Sequence, residues 1–190
     1  MSYDVADQLE RYVPYNDQER LDKYVILDYL HTSPDIFLRS NLKAHMTASA
    51  WIVDRTRTKV LMVFHRIYDS WSWTGGHADG CEDLLAVAMR EAYEETGVEA
   101  LPVTTSMFSI EQLPVDGHYK NGLYVPSHMH LNVSYLLEAD DSAPLKVKID
   151  ENKAVAWFPL DEALSKPSPA ERWVVGHVYA KLNAKLKEML

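Results

Sequence analysis

Gly76-His77-Ala78-Asp79-Gly80-Cys81-Glu82, followed after seven residues by Arg90-Glu91-Ala92-Tyr93-Glu94-Glu95-Thr96-Gly97-Val98, is the stretch from which the rest of the chain is read. Its second half predicts a helix over residues 82–96, with Gly97 as the C-terminal cap. At about 100° per residue, Glu95 projects between Leu84 and Ala88, and Glu91 lies only about 20° from Leu84. Two carboxylates thus share the apolar stripe. Glu94 lies one step further round, and all three acids occupy the last two turns, where the helix dipole disfavours negative charge. Spacings of three and four residues add mutual repulsion. A solvated acidic face is one reading of such a cluster. A bound divalent cation is the other, and it removes both objections, because hard oxygen ligands are what Mg²⁺ or Mn²⁺ requires.

Outward from this helix the texture is strand-like. Met46-Thr47-Ala48-Ser49-Ala50-Trp51-Ile52-Val53 and Lys59-Val60-Leu61-Met62-Val63-Phe64 read as strands joined by a hairpin turn over Asp54 to Thr58, and Trp71-Ser72-Trp73-Thr74 leads into Gly75-Gly76. Downstream, strands are expected at Thr104 to Glu111, His128 to Leu137 and Ala154 to Phe158, with a Gly- and Pro-containing loop from Leu113 to Ser127. A short helical turn begins at Asp161. A last helix, Glu171 to Leu190, is expected to bury Trp173, Val174, His177, Val178, Leu182 and Leu186. Ahead of the strands, Leu9, Tyr12 and Val13 suggest one short helix, and Leu21, Val25, Ile26, Tyr29 and Leu30 a second, bounded by Pro14 and Pro34. The expectation is an α+β sandwich: a helical extension over residues 1–44 attached to a main domain over 45–190, together one compact unit.

Composition narrows the partners. The 190 residues are 47% hydrophobic, ample for one core, and the net charge is −9. That balance disfavours a protein whose task is gripping a nucleic-acid backbone, and free small molecules fit it better. Cys81 is the only cysteine, so an intrachain disulfide is excluded. The opening residues lack the basic and apolar regions of a secretory signal, and no apolar run approaches the roughly 18 residues of a membrane span. A cytoplasmic protein without membrane attachment is expected.

The motif residues resemble the Nudix box of the MutT-like hydrolases, Gly-x5-Glu-x7-Arg-Glu-aliphatic-x-Glu-Glu-x-Gly-aliphatic. Gly76, Glu82, Arg90, Glu91, Glu94, Glu95 and Gly97 fill its seven fixed positions, and Ala92 and Val98 its aliphatic slots. Seven specified residues coincide by chance on the order of a few times per billion starting positions. Thr74 departs from the proline that many family members carry ahead of the glycine pair.

The resemblance implies an α/β/α sandwich with a mixed β-sheet, and an enzyme that hydrolyses a diphosphate linkage in a nucleoside triphosphate or a nucleoside diphosphate joined to another group. It implies Mg²⁺, with Mn²⁺ as a substitute, held by the Gly75 carbonyl, Glu91, Glu94 and Glu95. Glu91 and Glu151 are the two candidates for the proton-accepting base. Arg90 is expected to position the acids, with Glu82 as its partner. Gly76 and His77 are expected at the phosphates.

His128 and His130 alternate along one strand and so face one side, where they are candidates for substrate contact. The absence of a cysteine or suitably spaced third ligand argues against zinc there. His45 and Trp157-Phe158 read as packing residues. Trp71, Trp73, Tyr119 and Tyr124 read as core or as platforms for a base, and the last helix with Trp173 as core or a homodimer interface. Two other classes share the box: an isoprenoid-diphosphate isomerase, which needs a catalytic cysteine, and a non-catalytic nucleotide-sensing domain, which has no need of three intact acids.

Overall fold

The computed structural model describes residues 4–120 and 122–189. Its elements are α1 (Val5–Arg11), α2 (Asp17–Thr32), β1 (Ala44–Asp54), β2 (Lys59–His65), β3 (Ser70–Ser72), β4 (Thr74–His77), α3 (Leu84–Thr96), β5 (Leu101–Pro102), β6 (Ser109–Val115), β7 (His118–Lys120), β8 (Leu123–Val125), β9 (His128–Ala139), β10 (Asn152–Pro159), α4 (Leu160–Ala163), α5 (Arg172–Val174) and α6 (Ala180–Glu188). The alternation of β1 explains the layering. Met46, Ala48, Ala50 and Ile52 face a core shared with Leu84, Val87, Ala88 and Ala92 of α3 and with Val5, Leu9 and Ile26 of the N-terminal helices. Trp51 and Val53 face the opposite core, made with Val178, Leu182 and Leu186. Helices therefore cover both faces, as expected of the sandwich.

The sheet order is β10-β2-β1-β9-β5, with β3 on β2, β4 on β1 and β6 on β9. Only β1 and β9 run parallel among the described pairs, with His45 opposite His130 and Thr47 opposite Asn132. The sheet is mixed. Between β1 and β2 the Asp54 carboxylate accepts from the backbone N–H groups of Thr56, Thr58 and Lys59, closing the hairpin turn that the sequence indicates.

Two expectations need correction. β6 runs from Ser109 to Val115 rather than Thr104 to Glu111. Pro114 fits there because β6 pairs with β9 on one side only, so the missing N–H faces an unpaired edge. The last helix is not continuous: a 3₁₀ turn over Pro169–Glu171 leads into α5, a π-helical segment spans Val175–Tyr179, and only then does α6 begin. The wider π turn changes the helical phase. Trp173 and His177 consequently lie exposed, stacked on each other, while Val178, Leu182 and Leu186 stay buried.

The N-terminal helices are tied in by charge as well as by apolar contact. Glu19 of α2 is 0% exposed, with Lys181 Nζ 3.0 Å and Lys185 Nζ 3.3 Å away, and it accepts from the Tyr12 hydroxyl at 2.6 Å. Lys181 also pairs with the buried Glu111 of β6 at 3.1 Å. None of the helices among the described residues is long and apolar enough to cross a membrane.

Candidate active site

The box is built as a loop and a helix laid against β4. Asp83 caps α3, accepting from the N–H of Ala86 at 3.0 Å, and Gly97 ends it at φ 72°, the left-handed conformation that suits glycine. The intervening turn is held from the N-terminal side: Arg39 Nε donates to Asp79 at 2.6 Å, and the Gly80 N–H to the Phe37 carbonyl at 2.9 Å. These contacts fix where the helix begins, and so where its acids end up.

Glu95 is buried among the apolar residues of α3, only 4% exposed. Its carboxylate accepts from the Gly75 N–H and from Asn152 Nδ2, both at 3.1 Å. Burial pushes its pKa up to about 7, against the opposing pull of those two hydrogen bonds. Glu91 lies flat against Gly76: a Cβ there would stand 2.7 and 2.8 Å from the two carboxylate oxygens. Gly75 is equally confined, since its Cβ would meet the Ala48 carbonyl oxygen at 2.8 Å. Small residues are required here by the close approach of acid and backbone.

Arg90 pairs with Glu91 at 3.0 Å and with Glu94 at 3.9 Å. The expected Arg90–Glu82 pair does not form; one turn of helix separates Arg90 from Glu94, whereas Glu82 precedes the helix. Glu94 and Glu151 share Lys148, whose Nζ lies 3.2 Å from the first and 2.9 Å from the second. Glu151 thereby joins the helix acids. Lys148 and Asn152 escaped sequence reasoning, although both flank Glu151 in the chain.

These acids form one wall of a cavity of about 1410 Å³, larger than the roughly 300–1,000 Å³ usual for small-molecule sites. Its floor is the polar first half of the β1 face that later becomes core: His45, Thr47 and Ser49, with Asn132 from β9. Asn132 Oδ1 accepts from Ser49 Oγ at 2.8 Å and Thr47 Oγ1 at 3.0 Å, while its Nδ2 donates to Glu111 at 2.9 Å. His77, His128 and His130 line the cavity beside them. His45, expected as a packing residue, is buried as such a residue would be, and it also belongs to this group: its ring lies 4.7 Å from that of His128 and 5.0 Å from that of His130. Burial lowers the pKa of His45, and it pushes that of His130 down to about 2, which favours the neutral form of both rings.

Aromatic residues divide in two. Trp71 packs edge-on between Phe64 and Phe158, away from the cavity. Trp73, Tyr119 and Tyr124 line it, the tyrosines on the β7–β8 hairpin inside what reads as loop. Trp173 also lines the cavity and is 41% exposed. Cys81 lies at the cavity edge, with its Sγ 3.6 Å from the Asp83 carbonyl oxygen.

Residues 43–181 match the NUDIX domain. The chain belongs to the Nudix family. A crystal structure of a NUDIX-family hydrolase from Clostridium perfringens superposes with a TM-score of 0.53 at 18% identity, covering 77% of this chain and 98% of that one, and shares the fold. Among named relatives, a CMP-5′-(N-acetyl-N-hydroxy-3-aminopropyl)phosphonate hydrolase of Streptomyces rubellomurinus is 32% identical over 120 residues, 61% of this chain and 52% of that protein. The m7GpppN-mRNA hydrolase NUDT17 of Xenopus laevis is 32% identical over 114 residues, 58% of this chain and 36% of that protein. The Nudix chain thus matches about half or less of the length of these relatives.

Proposed function

We propose that this Nudix chain is a hydrolase that cleaves a diphosphate linkage in a nucleotide, using a divalent cation. The observation that carries the reading is the convergence of Glu91 and Glu95 on Gly75 and Gly76 at the wall of a large cavity. A chain selected for stability alone would not bury an acid under a glycine and place two more beside it. The donor set fits the cation: carboxylate oxygens of Glu91, Glu94 and Glu95 with the Gly75 carbonyl are hard ligands suited to Mg²⁺ or Mn²⁺. Lys148, drawn between Glu94 and Glu151, is a further sign of concentrated negative charge at this wall. When bound, the cation would neutralise diphosphate oxygens and acidify a water.

The protein's own groups supply position and proton transfer. Arg90 holds Glu91 in place, and Asn152 with the Gly75 N–H holds Glu95. Glu151 is the acid we assign to accept the proton from water, because it adjoins the helix acids without being wedged against the glycine pair. Gly76 and His77 line the cavity beside the acids, which supports a role for them at the phosphates. Trp173 with Tyr119 and Tyr124 offers aromatic faces to a base. Both relatives named above carry a nucleotide in their substrate names, which supports a nucleotide here.

The test is a panel of nucleoside triphosphates, dinucleoside polyphosphates and nucleoside diphosphate-linked compounds, incubated with Mg²⁺ or Mn²⁺ and analysed by chromatography. Cleavage at a diphosphate bond that is abolished in Glu95→Gln supports the proposal. No cleavage of any compound, or equal cleavage by the variant, refutes it. With a cleaved substrate in hand, Glu151→Gln is expected to lower kcat by about 100-fold or more; near-normal turnover would return the role to Glu91.

A further inference from the structure

Beyond the carboxylate wall, the same cavity holds a second set of ligand-type groups. His45, His128 and His130 each present one ring nitrogen such that the three lie within 4.8 Å of one another. The sheet sets this arrangement. Parallel pairing puts His45 of β1 directly beside His130 of β9, and the two-residue period of β9 puts His128 on the same face.

The hydrogen bonds behind the rings fix which nitrogens are available. His45 Nδ1 lies 3.1 Å from the Asn41 carbonyl oxygen and His128 Nδ1 2.8 Å from that of Pro126. A carbonyl only accepts, so each Nδ1 carries the proton and each Nε2 keeps a lone pair. An imidazole anchored by a backbone carbonyl through its other nitrogen is the usual support of a metal ligand. His128 Nε2 meets His130 Nε2 at 3.1 Å, so without metal that pair shares the proton of His130 Nε2, and a metal bound there would shift that proton to His130 Nδ1. His45 Nε2 shares no proton: it is buried without a hydrogen-bond partner, on a side chain only 4% exposed. Leaving such an atom unmatched is costly unless something binds it.

We propose that His45, His128 and His130 form a second metal site, separate from the carboxylate centre, that takes a divalent transition-metal ion of the zinc class. Neutral imidazole nitrogens select borderline ions of this kind over Mg²⁺. Ligands 2.0–2.1 Å from a tetrahedral zinc stand roughly 3.3–3.4 Å apart; the 3.1 Å pair is within a few tenths of an ångström of this spacing, and His45, whose ring nitrogen lies within 4.8 Å of the other two, closes the triangle by moving inward by up to about 1.4 Å. Three protein ligands leave a fourth position, and the cavity supplies it. His77 stands at that side, its ring 5.1 Å from that of His45 and 4.9 Å from that of His130. The expectation that no third ligand accompanies His128 and His130 is corrected by His45, which is remote in sequence and adjacent through strand pairing. The site stands whether or not the diphosphatase reading does.

The experiment uses the full chain, stripped with chelator and dialysed against micromolar Zn²⁺, with bound metal counted by elemental analysis. Co²⁺ in place of Zn²⁺ adds a visible absorption band diagnostic of tetrahedral coordination. One Zn²⁺ per chain, a tetrahedral Co²⁺ spectrum, and retention of both in a Glu94→Gln/Glu95→Gln variant are the expected results. His45→Asn and His130→Gln are expected to weaken Zn²⁺ binding by about 100-fold or more. Wild-type protein that takes up no Zn²⁺, an octahedral Co²⁺ spectrum, or Zn²⁺ lost in the glutamine variant would each overturn the proposal, as would undiminished binding in a folded histidine variant. The wild type and the glutamine variant decide the matter even if a histidine variant fails to fold.

Discussion

Glu95 concentrates the chemistry of the site into one side chain. Its carboxylate sits where a helix of ordinary purpose would place Leu or Ala, held by one backbone N–H and one amide, with its charge disfavoured by burial. The two glycines that approach the acids are distinguishable by substitution. Gly76→Ala drives a methyl group into the Glu91 carboxylate, whereas Gly75→Ala drives one into the Ala48 backbone. Side-chain displacement is the milder event for stability and the graver one for catalysis. Gly76→Ala is therefore expected to reduce kcat by about 100-fold with little change in Tm, and Gly75→Ala to lower unfolding free energy by about 1–3 kcal/mol. Kinetics and urea denaturation of both variants check the contrast. At this scale the sequence was legible where the acids are contiguous on one helix. It was silent about His45, because nothing local marks that residue as different from a packing histidine; only its pairing with β9 does.

Among elements, α2, β6 and α6 are joined by a buried ionic network rather than by apolar surface alone. Burial by itself would raise the pKa of Glu19, but Lys181, the Tyr12 hydroxyl, Lys185 and the Tyr15 N–H together outweigh it and hold the carboxyl below its ordinary value. A group whose folded pKa is depressed adds stability above its unfolded pKa of about 4.5 and loses it as pH falls through the folded value. Acid titration of Tm is thus expected to show a fall in the wild type that is smaller in Glu19→Gln. At neutral pH the same variant should lose about 3 kcal/mol or more, because Lys181 and Lys185 are left buried with less counter-charge; an unchanged urea midpoint would contradict this. Elements were legible in sequence where a single period ran unbroken, as in α3 and β9. The last helix departs from its sequence period because the π segment resets the phase between Trp173 and Val178, and the end of β6 is hidden in the sequence because Pro114 signals a loop except at an unpaired sheet edge.

For the whole molecule, the sandwich puts the helix acids and the histidine group at one cavity. β1 makes this possible by changing character along one face, from His45, Thr47 and Ser49 at the cavity to Trp51 and Val53 in the core. The N-terminal helices bear on that scaffold through Glu19. Removal of residues 1–43 is expected to lower Tm by several degrees or more, because Lys181 loses Glu19 and keeps Glu111 as its acidic partner; a truncated chain melting with the full one would show the helices to be dispensable. The layered fold and the box could be inferred from sequence because a complete motif determines both. The cavity floor could not, since it depends on β4, β1, β9 and β6 lying side by side. The central proposal is hydrolysis of a diphosphate bond at the carboxylate wall. Its most direct test is phosphorus NMR of a turnover reaction run in oxygen-18 water with Mg²⁺, using a cleaved nucleotide from the panel. Label is expected on one of the two phosphates released from the broken linkage, with no product from Glu95→Gln; products carrying no label on phosphorus would rule the hydrolysis out.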